Sequence, residues 1–129
     1  MITPKLSAWV FGGLIAVVAL FQLALALGAP WGGIAMGGAF PGVYPPAMRV
    51  AALAQMAVLG GFALIVFVRA GLVLPRWQAA AQWGIWAVVA LLGVGVVLNL
   101  ITPSGMERLI WVPVVTLLFL AGLRVALAR

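Results

Sequence analysis

The sequence predicts an all-α transmembrane four-helix bundle running up-down-up-down, with a Gly/Pro-rich outer loop between helices 1 and 2. Composition is the first reason: of 129 residues 67% are hydrophobic and only 6% charged, whereas about a quarter of a soluble domain carries charge. A water-soluble chain this small buries only about two-thirds of the surface its unfolded form exposes, so this much apolar area needs lipid as its solvent. The second reason is that the apolar residues fall in runs long enough to cross a bilayer, and the third is that the sparse cations gather at the ends of those runs. One integral membrane domain over 1–129 follows.

The runs justify each helix in turn. Residues 8–27 are broken only by Gln22, and about 20 residues rising 1.5 Å each match a hydrocarbon core about 30 Å thick. A cleavable signal peptide is the alternative for this segment, because Lys5 gives a positive start and Ala24-Leu25-Ala26 resembles a small-residue cleavage site. The second run, 50–68, is opened by Arg49 and closed by Arg69, with Gln55 inside it. A third covers 80–101. The fourth, 109–127, contains Pro113, which removes a backbone donor and is expected to kink or loosen the helix.

Charge placement predicts orientation, since Lys and Arg are retained on the cytoplasmic side. Lys5, Arg69, Arg76, Arg124 and Arg129 fall on the face holding both termini, whereas only Arg49 and Arg108 fall on the other. Cytoplasmic termini are therefore expected. Trp9, Trp77, Trp83 and Trp86 then form one interfacial aromatic belt, and Trp31, Tyr44 and Trp111 the outer one. The outer loop, 28–48, has no charge before Arg49 and is rich in Gly and Pro, unlike a solvated linker. It is expected to fold over the bundle mouth. Short connections near Pro75 and across 102–108 make sequential helices antiparallel neighbours.

Several kinds of chemistry are disfavoured by residue inventory. The chain has no cysteine and no histidine, so thiolate and imidazole sites are ruled out, and no metal ligand set, cofactor or catalytic group is expected. The +6 net charge is scattered, which argues against nucleic acid. A proton-coupled small multidrug transporter would want an acid inside a span, and none lies there.

The polar residues of the spans agree in depth. Gln22 and Gln55 both lie about 9 Å below the outer boundary, Asn99 is near the outer end of helix 3, and Glu107 with Arg108 starts helix 4. An outer polar pocket under the loop is the expectation, with Gln22, Gln55, Asn99, Arg108, Trp31 and Tyr44 as candidate ligand contacts. The competing reading is that the amides bond one another between helices, Gln22 to Gln55 or to Asn99. Glu107, the single acid, has a local explanation: Ser104 through Glu107 fits a capping box. Arg49 and Arg108 have two options each, lipid phosphate or a ligand's anionic group. Small residues four apart, at Gly12 with Ala16, Ala57 with Gly61 and Gly122 with Ala126, permit close helix approach.

Two blocks carry a resemblance: Gly28-Ala29-Pro30-Trp31-Gly32, Gly37-Gly38, Pro41-Gly42, Pro45 and Arg49 in the outer loop, then Asn99, Thr102-Pro103-Ser104, Glu107-Arg108, Trp111 and Pro113. In these the chain resembles a family of uncharacterised small bacterial four-helix integral membrane proteins. The resemblance implies the topology above and a role for the outer loops, without an activity. Abundant Ala, Gly and Val with Arg over Lys fit a bacterial origin, and the bacterial cytoplasmic (inner) membrane is the expected location.

The absence of assembled chemistry makes a non-catalytic accessory or scaffold subunit the leading expectation, packing against a larger membrane assembly or a homo-oligomer, with membrane lipids as further partners. The alternative is a binder or transporter of a small neutral or lipid-like molecule at the outer pocket. A sizeable cavity there favours the binder; a tightly packed centre favours the scaffold.

Overall fold

The computed structural model describes residues 3–35, 38–103 and 105–128. Its architecture is four long helices, α1 (Pro4–Ala26), α2 (Pro46–Arg69), α3 (Gln78–Ile101) and α4 (Gly105–Ala126). At 1.5 Å per residue each exceeds a hydrocarbon core of about 30 Å. All four are apolar enough to cross it. The chain is a multi-pass membrane protein.

The first two helices begin ahead of their apolar runs because proline starts them. Pro4 and Pro46 occupy first-turn positions, where the missing N–H is one the helix does not need. At α1 the Thr3 hydroxyl also accepts the Leu6 N–H at 3.1 Å. The ends of α1 and α2 follow one scheme, in which a glycine at positive φ lets two amides return to free carbonyls. Gly28 (φ +105°) bonds Leu25 while Ala29 bonds Ala24; Gly71 (φ +82°) bonds Val68 while Leu72 bonds Phe67. Leu74, in the left-handed region, and Pro75 then complete a tight hairpin into α3. Pro113 sits inside an unbroken α4 with its ring exposed. The capping role expected of Ser104 lies outside the described residues.

The helices form a ring in which α1 packs on α2 and α4, and α3 packs on α4. The α2–α3 side is the sparsest of the four, and α2 and α4 barely touch across the diagonal. Packing is uneven along the bundle axis. The end carrying both termini holds the dense core, centred on Phe11, Ile85, Val66, Leu118 and Val125. Gly122 lets α4 approach there, since a Cβ at that position would lie 3.4 Å from Phe11 and 3.7 Å from Val89. Polar ties close the same end, with Gln78 Nε2 donating to the Val68 carbonyl at 2.8 Å and Arg69 donating to the Ala128 carbonyl. At the loop end the buried cluster is small, Leu25, Ala35, Tyr44 and Ala52, and a cavity takes up the rest.

Candidate functional site: a roofed cavity at the loop end

Every helix contributes a polar side chain to a cavity of about 380 Å³ at the loop end. That size falls within the range of about 300–1,000 Å³ usual for small-molecule sites. Gln22 comes from α1, Gln55 from α2, Asn99 from α3 and Glu107 from α4. The floor and walls are otherwise apolar, including Leu59, Leu92 and Leu118, all buried. A polar rim above an apolar floor is the profile of a site for an amphipathic molecule.

The loop between α1 and α2 roofs the cavity with Ile34, Ala35 and Tyr44. Its compactness comes from backbone packing: the Gly32 N–H donates to the Gly42 carbonyl at 2.9 Å. A Cβ on Gly32 would fall 1.9 Å from the Phe40 carbonyl oxygen, so only glycine fits. The indole N–H of Trp111 donates to the Ile34 carbonyl at 2.7 Å and pins the roof to α4. Phe21 then sits between two indoles, edge-on to Trp111 at 4.7 Å and stacked with Trp31 at 6.2 Å.

Of the six candidate contacts, Gln22, Gln55, Asn99 and Tyr44 line the cavity. Trp31 and Arg108 do not, each for a local reason. Trp31 is about half exposed and lies on the far side of the Phe21 ring stack. Arg108 follows Glu107 by one helical step, about 100° round the axis, and its Nη1 donates to the Thr102 carbonyl at 3.0 Å. Arg49 also stays off the lining. Its Nε donates to the Tyr44 carbonyl at 3.0 Å, and its guanidinium lies against Gly28 at the carbonyl end of α1, where a helix dipole favours a cation.

No direct Gln22–Gln55 hydrogen bond forms among the described residues. Both amides face the shared space instead. Asn99 does not supply the missing partner either, since its Nδ2 donates to Gly95 in its own helix at 2.8 Å. Depth brings these side chains level, and the cavity keeps them apart.

Glu107 and Trp111 are the site residues that sequence reasoning set aside, the first as a cap and the second as a belt residue. Glu107 is buried, 8% exposed, and lines the cavity. The Thr102 hydroxyl donates to its Oε2 at 3.2 Å. Its position as the chain's single acid, in a block beside Asn99 and Tyr44 at matching depth, was the available signal. Tyr44 is turned inward too, 4% exposed. Burial, and after it the negative charge of Glu107, holds its phenol above the ordinary value of 10.0.

Comparison with protein-family models, curated proteins and solved structures finds no match.

Proposed function

We propose that this membrane protein binds a small amphipathic, lipid-like molecule in the cavity at its loop end. The observation that carries the reading is the cavity itself: in a bundle that packs densely at its other end, four helices and a loop leave about 380 Å³ bordered by amides, a phenol and a carboxylate. Space of this size, with polar groups converging over an apolar floor, is the form that small-molecule sites take. The alternative of a purely non-catalytic scaffold or accessory subunit does not call for it.

Location and orientation belong to the same proposal. The cation distribution and the resemblance to small bacterial four-helix membrane proteins support the bacterial cytoplasmic membrane, with both termini inside and the roof facing out. Gly33, where a Cβ would meet nothing within 4 Å, suits a cysteine probe of that topology. An impermeant thiol reagent added to intact cells should label Gly33→Cys.

Native mass spectrometry after gentle detergent extraction tests the binding. The chain should carry a small molecule that is lost from Leu92→Trp, a substitution that fills the cavity floor. A chain that arrives empty from every mild detergent, or only with protein subunits attached, would return the balance to the scaffold.

A further inference from the structure

We infer that the occupant is a hydrophobic organic cation, its charged head beside Glu107 and its apolar part on the floor of the cavity, reached sideways from the bilayer between α2 and α3. This narrows the proposed function and rests on it.

The charge of the lining points one way. Among the described residues its polar groups are the neutral amides of Gln22, Gln55 and Asn99, the Tyr44 phenol and the Glu107 carboxylate, so the one acidic residue of the chain supplies the only formal charge among them. Arg49 and Arg108, the basic residues nearest in sequence to Tyr44 and Glu107, are turned to backbone carbonyls and off the lining. An anionic head would meet like charge at Glu107, and a neutral one would gain at most a hydrogen bond from it, without the attraction between opposite charges. A cation gains from the carboxylate in surroundings that hold little water. Phe21, Phe62, Tyr44 and Trp111 add aromatic side chains to the lining, a residue type whose rings attract organic cations. The raised phenol of Tyr44, owed first to burial and second to the charge of Glu107, agrees with this geometry, and Tyr44 itself stays neutral near pH 7.

The shape of the opening selects a hydrophobic molecule over an inorganic ion. Ala51 and Gln55 on α2 and Leu91 on α3 line the cavity yet are exposed, whereas Ala52 and Leu92 beside them are buried. The mouth therefore lies between α2 and α3, on the most sparsely packed side of the ring. It opens at the lipid-facing surface of a spanning helix. A hard metal ion is held by several carboxylate and carbonyl oxygens at close range, and the described lining offers one carboxylate beside amides that belong to different helices.

The test uses the full chain in phosphatidylcholine nanodiscs, with radiolabelled tetraphenylphosphonium as the cationic probe and a spin-labelled monoacylglycerol as the neutral one. Saturable tetraphenylphosphonium binding is expected, weakened about tenfold to a hundredfold by Glu107→Gln, the scale of one charged contact. Ala51→Trp, at the mouth, should weaken tetraphenylphosphonium binding. On the unmodified chain, dodecyltrimethylammonium should displace tetraphenylphosphonium, and uncharged dodecyl maltoside should not. Equal displacement by the two, or cation binding unchanged in Glu107→Gln, overturns the cationic assignment. Saturable binding of the neutral probe alone overturns it as well while leaving the proposed function standing. Binding of neither probe above empty nanodiscs removes both.

Discussion

The Thr102 hydroxyl donates to Glu107 Oε2 at 3.2 Å, joining the residue that ends α3 to the first turn of α4. Both residues are buried. The bond therefore fixes the corner at which α3 hands over to α4, and it holds a carboxylate toward the cavity. Thr102→Val keeps the shape and deletes the donor, so it should cost about 1–3 kcal/mol in unfolding free energy. Glu107→Gln should cost less, because a side-chain amide oxygen still accepts from Thr102. Unfolding of the two variants in one detergent gives the order, and a costlier Gln variant would mean that the carboxylate charge itself holds the corner.

Gly32 and Gly33 make a matched pair in the roof. A Cβ on Gly32 would collide with the Phe40 and Gly42 carbonyls, at 1.9 and 2.8 Å, whereas one on Gly33 meets nothing. Gly32→Ala should therefore force the loop apart at a cost of about 1–3 kcal/mol, and Gly33→Ala should be nearly neutral. Hydrogen exchange of the loop amides would show faster exchange in the first variant only. Equal protection in both would mean that the roof is not built on this close approach.

Much of this was legible in the sequence, and the remainder fails for one physical reason. Membrane crossing is a matter of length and apolarity, so four runs announce four spans, and axial depth follows from residue count, which is how Gln22, Gln55 and Asn99 come out level. Rotation about each helix axis is not encoded in the same way. Glu107 and Arg108 are adjacent, yet one lines the cavity and the other turns to the Thr102 carbonyl. The small-residue pairs divide likewise: Gly122 is pressed against Phe11, whereas Gly61 faces open space. Capping at Glu107 is a local pattern, and its burial in the cavity depends on α3 and the roof arriving beside it.

Tyr44 is the chain's only tyrosine, so ultraviolet phenolate absorbance reports on it alone. Burial raises its pKa first and the Glu107 charge second, so the folded chain should titrate above the ordinary value of 10.0. The sign for stability follows from linkage. A folded pKa above the unfolded one gives a contribution fully present below the unfolded pKa and lost as pH rises through the folded one. Stability should thus decline on the alkaline side of 10.0, and Tyr44→Phe should remove that part of the decline. Glu107→Gln should bring the phenol partway back toward its ordinary value. A midpoint at or below the ordinary value would contradict the inward, Glu107-facing placement of the ring.

If the loop end of this bundle is a binding site and not a packing defect, a high-resolution structure of the full chain in lipid nanodiscs will show it occupied. Elongated non-protein density is expected, entering between Ala51 and Leu91 and ending among Gln22, Asn99 and Glu107, beneath a roof pinned by Trp111 to Ile34. A map in which α2 and α3 close along their whole length, with Leu59, Leu91 and Leu92 packed together and no volume between them, would contradict it.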